Sequence, residues 1–138
     1  MTTDYMVIGR TRNSDNVLRL VHGIEARGYS CYNFLSKPCR PDIANLPWEE
    51  QMEIFESHED FWNDPHHREH FETDMNALRN ANTIVLLLPA GMAAHMEAGV
   101  AFGLNKRLIL IGETEKPETL YLMFKERYPD IESFLATI

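Results

Sequence analysis

Cysteine is scarce in this chain. Cys31 and Cys39 are the only two among 138 residues, too few for a disulfide scaffold or a cysteine zinc site. Long apolar runs are missing too. The longest, IVLLLPA (residues 84–90), is far too short to cross a bilayer. The opening MTTDYMVIG has no charged-then-apolar leader, so a cytoplasmic location is the expectation. Positive charge is also in short supply: 13 Lys and Arg stand against 21 Asp and Glu, a net −8. No basic cluster is denser than KRL or RTR, which excludes the broad footprint that polynucleotide binding needs. A small anion stays open, because one or two arginines and backbone amides suffice to hold it. What is present is a hydrophobic content of 44%, enough for one globular domain spanning residues 1–138.

Periodicity gives alternating strands and helices. YMVIG (residues 5–9) is a short strand. Asn13 or Ser14 can cap a helix whose apolar residues Val17, Leu18, Val21 and Ile24 recur at helical spacing, ending near Gly28. YSCYNF (29–34) is strand-like, and SKPCRPDIANLP (36–47), with three prolines, is a loop. Residues 48–62 read as an aromatic-rich, acidic helix, and 66–80 as a second one. TIVLLL (83–88) lacks alternation, as a strand covered on both faces does. A helix over 92–105 and the strand RLILI (107–111) follow. Pro117 opens a last helix, with IESFL as a short tail.

This order predicts a three-layer α/β domain around a parallel sheet of four or five strands, flavodoxin- or Rossmann-like. Ligands of such sheets bind beyond the carboxyl ends of the strands, where strand order reverses. That brings the loop GRTRN (9–13) beside the loop PAGMA (89–93). Gly9, Arg10, Arg12, Gly91, Met92, Ala93 and His95 are therefore candidate substrate-binding residues.

The stretch 84–112 contains a single acid, Glu97. Helical spacing sets it on a face with Ala93, Val100, Ala101 and Leu104, an apolar one, near a helix start where negative charge is favoured. A carboxylate held among small residues can act as nucleophile or base; it can equally pair with a neighbouring arginine. Asp74 borders the apolar stripe of the preceding helix. It can bond a nearby amide or assist a reacting group.

FETDMNALRNANTIVLLL followed by MEAGVAFGLNKRLILI resembles the nucleoside 2-deoxyribosyltransferases and their smaller N-glycosidase relatives. The residues that carry the resemblance are Asp74, Met75, Asn76, Asn80, Ala81, Glu97, Gly99 and Lys106, with Gly9 after the opening strand; it covers roughly 4–12 and 70–112. The resemblance implies an enzyme that cleaves or exchanges the N-glycosidic bond of a nucleoside or nucleotide. Glu97 would be the nucleophile and Asp74 the group that assists at the base, with no cofactor or metal and a homo-oligomeric assembly. Where the family carries a hydroxyl-rich stretch before the glutamate, this chain has MAAH (92–95), so contacts to sugar or phosphate fall to backbone amides, His95, Arg10 and Arg12.

Two other families resemble parts of the same segment. LPAGMAAHME is similar to the Pro-Gly-Gly strand end of the cytokinin-activating phosphoribohydrolases, without its second Gly and Thr. Toll/interleukin-receptor-like NAD-cleaving domains also place a glutamate on the helix after a buried strand. A non-catalytic nucleotide sensor is a further reading, favoured by the missing hydroxyl residues. HHREH (66–70) matches an inverted zinc-protease pattern, yet Pro65 sets it in a first helical turn, where a solvated polar start explains it. His58, Glu59 and Asp60 read as surface, and Cys31 as an inert strand residue. Trp48, Phe55, Phe61 and Trp62 read as core or subunit packing, with base stacking as the alternative. That aromatic helix offers more apolar surface than a small sheet covers, which favours a homo-oligomer.

Overall fold

The computed structural model describes residues 2–37, 41–56 and 61–138; of the residues singled out above, Cys39, His58, Glu59 and Asp60 lie outside these. Five strands form one sheet: β1 (Thr3–Ile8), β2 (Cys31–Asn33), β3 (Ala81–Leu87), β4 (Arg107–Ile111) and β5 (Glu126–Tyr128). Their order is β2-β1-β3-β4-β5, and every neighbouring pair is parallel. The apolar runs explain the centre. Residues of β1, β3 and β4 have a helical layer on each side, so alternation is lost and both faces are filled.

One face is covered by α1 (Ser14–Glu25) and α5 (Ile131–Leu135), packing Val17, Leu20, Ile24 and Phe134 against Val7, Val85 and Ile109. The other carries α3 (Pro65–Asn80) and α4 (Met92–Gly103), which set Leu78, Ala94, Ala98 and Ala101 against Met6, Ile84 and Leu86. α2 (Trp48–Glu56) contributes no buried residue.

Local chemistry sets the boundaries. The Asp64 carboxylate accepts the amide of His66 at 2.7 Å, and Pro65 opens α3 where its missing N–H costs nothing. Asn105, at φ 60°, ends α4: the Lys106 amide returns to the Ala101 carbonyl at 3.0 Å, and that of Asn105 to Phe102 at 3.0 Å. Lys106 then donates from Nζ to the last-turn carbonyl of Arg79 at 2.7 Å, tying the end of α3 to the start of β4.

Three expectations change. The helix from Trp48 is described to Glu56, and Phe61–Asn63, expected to continue it, form a 3-10 turn. No α-helix opens at Pro117; a 3-10 turn, Thr119–Met123, leads into β5, which completes the sheet, and the tail IESFL forms α5. The His66 region is not simply solvated either: His67 is buried, its ring 4.4 Å from that of Phe61 and 4.8 Å from that of Phe55.

Candidate functional site

Strand order reverses between β1 and β3, the place where a crevice opens in sheets of this order. Gly9 shows how close the two strand ends come. A side-chain carbon there would lie 3.3 Å from Val17 and 3.6 Å from the carbonyl of Leu87. The following loop contains the cis Leu88–Pro89 peptide, and Gly91 caps α4.

Helical spacing sets Glu97 beside Ala93, Val100, Ala101 and Leu104, but of these four only Ala101 is buried. The covered stripe of α4 is Ala94, Ala98 and Ala101, alanines small enough to let the helix lie close to β3. The apolar face of the sequence is therefore rotated from the buried one, and Glu97 stands at its edge, on the side of α3. Burial there, and then the charge of Asp74, push the Glu97 carboxyl up to about 8. Asp74, midway along α3, is raised by burial as well, while His70, with Nε2 3.4 Å from its Oδ2, pulls it down.

The structure adds a third group that periodicity did not reveal. Tyr32 pairs in register with Met6 and so belongs to the α3–α4 face of the sheet. Its hydroxyl is buried and has no hydrogen-bond partner among the described residues. Burial raises its pKa, and the charges of Asp74 and Glu97 raise it further. A strand of three residues offered no alternation to mark it.

The other flank of α4 faces a cavity of about 710 Å³ beyond the ends of β3 and β4, lined among others by Arg10, Pro89, His95, Lys116 and Tyr121. His95 is locked in place. Its Nδ1 donates to the Gly91 carbonyl at 2.7 Å, since a carbonyl only accepts, and Nε2 is hydrogen-bonded to the Tyr121 hydroxyl at 2.8 Å. Arg10 and His95 thus share one cavity, whose lining includes neither Glu97 nor Asp74. Arg12 turns elsewhere, pairing with Glu56 at 3.4 Å. Met92 and Ala93 are exposed on the first turn of α4. Cys31 fits its inert reading, with burial pushing the thiol up to about 12. Among the described residues no three His, Cys, Asp or Glu side chains are grouped to hold a metal ion.

The chemistry of this arrangement is that of two desolvated carboxyls within electrostatic reach of each other. Like charges so placed resist joint ionisation, and Glu97 keeps its proton at neutral pH.

Comparison of the sequence with protein families and with curated proteins finds no match. Solved structures do match. A 2-deoxyribosyltransferase from the psychrotolerant bacterium Bacillus psychrosaccharolyticus superposes with a TM-score of 0.69 at 11% identity, over 96% of this chain and 90% of its own. The CMP N-glycosidase BcmB of Clostridium botulinum gives 0.57 at 13% identity, over 97% and 95%. The TIR domain of the Toll-related receptor TRR-2 from Hydra magnipapillata gives 0.56 at 16% identity, over 91% and 84%. The chain has the α/β fold of a nucleoside 2-deoxyribosyltransferase and of a CMP N-glycosidase.

Proposed function

We propose that this protein cleaves or exchanges the N-glycosidic bond of a nucleoside or nucleotide. The observation that carries the reading is the carboxyl pair, Glu97 on α4 and Asp74 on α3, desolvated beside the buried Tyr32 hydroxyl. Breaking the bond between an anomeric carbon and a base nitrogen leaves the electron pair on the nitrogen, which needs a proton, and a positive charge on the sugar, which needs an anion. One protonated and one ionised carboxyl supply both.

The proton that Glu97 holds at neutral pH passes to the departing base by way of Asp74. Glu97 is then charged as the oxocarbenium character of the sugar develops, and stabilises or traps the anomeric carbon. Water completes hydrolysis; a second base completes exchange. A substrate lying over the first turn of α4, along Gly91, Met92 and Ala93, extends its other end towards Gly9, Arg10 and His95. Arg10 suits a phosphate there.

A second reading, NAD cleavage, is favoured by the likeness to the TIR fold and by the 710 Å³ cavity on the far flank of α4, which has room for a second nucleotide. One experiment separates the readings: mass-spectrometric detection of free base from nucleosides, nucleotides and NAD. Base release from nucleosides or nucleotides alone supports the first and from NAD alone the second. Saturable ligand binding with no base release from any of them leaves a nucleotide-binding sensor.

A further inference from the structure

Across the sheet, Tyr32, Met6, Ile84 and Leu108 stand in one row of register, on the side covered by α3 and α4. Three of the four are purely packing residues. A phenylalanine would pack in that row as well, so the hydroxyl of Tyr32 is what needs a reason. It is buried and has no hydrogen-bond partner among the described residues. A buried polar group left unpaired costs stability, and breaches of this kind concentrate at functional sites.

The surroundings indicate the missing partner. Both carboxyls lie within electrostatic reach of the Tyr32 hydroxyl, Asp74 ahead of Glu97. An acceptor-only atom of a base, such as a keto oxygen, would satisfy the phenol but turn its lone pairs towards an ionised carboxyl. A ligand hydroxyl does both jobs, accepting from Tyr32 and donating to a carboxylate. The stretch before Glu97, MAAH, offers no side-chain hydroxyl in its place. In a nucleoside the hydroxyl nearest the anomeric carbon is the one on the adjacent sugar carbon, the 2′-position. Hydrogen bonds to it strengthen as positive charge develops on the sugar.

We infer that Tyr32 is a specificity-determining residue that reads the 2′-hydroxyl, so that the site takes ribonucleosides or ribonucleotides in preference to their 2′-deoxy counterparts. The inference rests on the proposed reaction for the placement of the sugar beside Glu97. A buried group built to meet a substrate hydroxyl rejects the analogue that lacks it, because the protein's own group is then left unpaired.

The test compares base release from adenosine and cytidine 5′-monophosphates with release from their 2′-deoxy forms. The ribose compounds should be favoured roughly 10²-fold or more in kcat/KM. Tyr32→Phe should shrink that ratio to about 3-fold or less, with a Tm at or above that of wild type, since phenylalanine fills the same space without the unpaired hydroxyl. Equal or reversed preference in wild type overturns the inference, as does a preference that Tyr32→Phe leaves intact. An equal loss on both sugars assigns Tyr32 to the base and overturns it too. So does a lower Tm in Tyr32→Phe, which would give the hydroxyl a structural partner. Calorimetric binding of the same nucleotides to Glu97→Gln, with and without Tyr32→Phe, keeps the two readings apart. A ribose preference in binding that Tyr32→Phe removes, with no base released by wild type, upholds the role of Tyr32 and removes the reaction. Base release without a sugar preference does the reverse, and neither release nor binding overturns both.

Discussion

A carboxyl pushed up to about 8 keeps its proton at neutral pH, which fixes what Glu97 is before a substrate arrives. Glu97→Gln keeps the shape and removes the titration. It should fold, bind ligand and lose base release by roughly 10²-fold or more, the scale of a lost positioned acid or base; turnover near wild type would leave Glu97 a structural role only. The rate itself should be bell-shaped in pH. With both carboxyls protonated there is no anion, and with both ionised there is no proton. The alkaline limb belongs near 8 and the acid limb above the ordinary 3.8 of aspartate. A kcat/KM that climbs without an alkaline limb removes the proton-donating role.

Stability follows the same group with a definite sign. A pKa raised from 4.5 to about 8 contributes stability that is fully present below 4.5 and is lost as pH rises to about 8. Glu97→Gln should therefore match wild type in Tm near the low end of that window and exceed it near the high end, by roughly 3 °C or more. Thermal melts at the two pH values check this, and an equal difference at both contradicts it. For a phosphorylated substrate, Arg10→Ala should raise KM by roughly 10-fold or more, the loss of a charge-assisted hydrogen bond. Arg12, engaged by Glu56, should be nearly silent when changed to Ala. Two silent arginines would remove the phosphate role.

Among the elements, α5 is too short to hold itself, being five residues long. It is held by Phe134, fully buried, with ring centroids 6.0 Å from Tyr5 and 5.4 Å from Tyr128 in edge-to-face geometry. Phe134→Ala should cost about 3–5 kcal/mol in urea unfolding; a loss below about 1 kcal/mol would show that α5 is not held by that ring. Legibility in the sequence tracks length and contrast in the same way. β3 and β4 centre on the apolar runs IVLLL and LILI, and α1 repeats Val17, Leu18, Val21 and Ile24 at helical spacing, so each is plain from residue types. β5, only three residues with none buried, carries no such contrast and was hidden beneath a helical reading after Pro117. Glu97 was conspicuous as the sole acid in an apolar segment, and Asp74 through the resemblance. Tyr32 had no signal of its own, because its role arises from the register of β2 on β1. The orientation of α4 was illegible for the opposite reason: a helix apolar on all sides gives spacing no polar face against which to place the buried one.

For the whole molecule the surplus of acids acts at a distance. Two bodies of charge −8 repel more at low salt than at high, because added ions screen them. Any self-association of the chain, expected from the resemblance, should tighten as ionic strength rises from tens to hundreds of millimolar, measured by sedimentation. Loosening instead would mean that ion pairs hold the copies together.

Asp74 and Glu97 sit on the two helices that flank β3 in the chain, so one uninterrupted segment, residues 65–103, carries both carboxyls of the proposed reaction. The walls of the neighbouring cavity come partly from the same segment, through residues 88–90, His95 and Ala98, and partly from Arg10 after β1, residues 113–116 after β4 and the turn holding Tyr121. That segment thus supplies the carboxyl pair and one side of the cavity, while loops from the rest of the chain build the other side. Under the proposed function, exchanging the loop at 113–116 alters that far wall and leaves both carboxyls in place, so selectivity and reactivity answer to separate stretches of the chain.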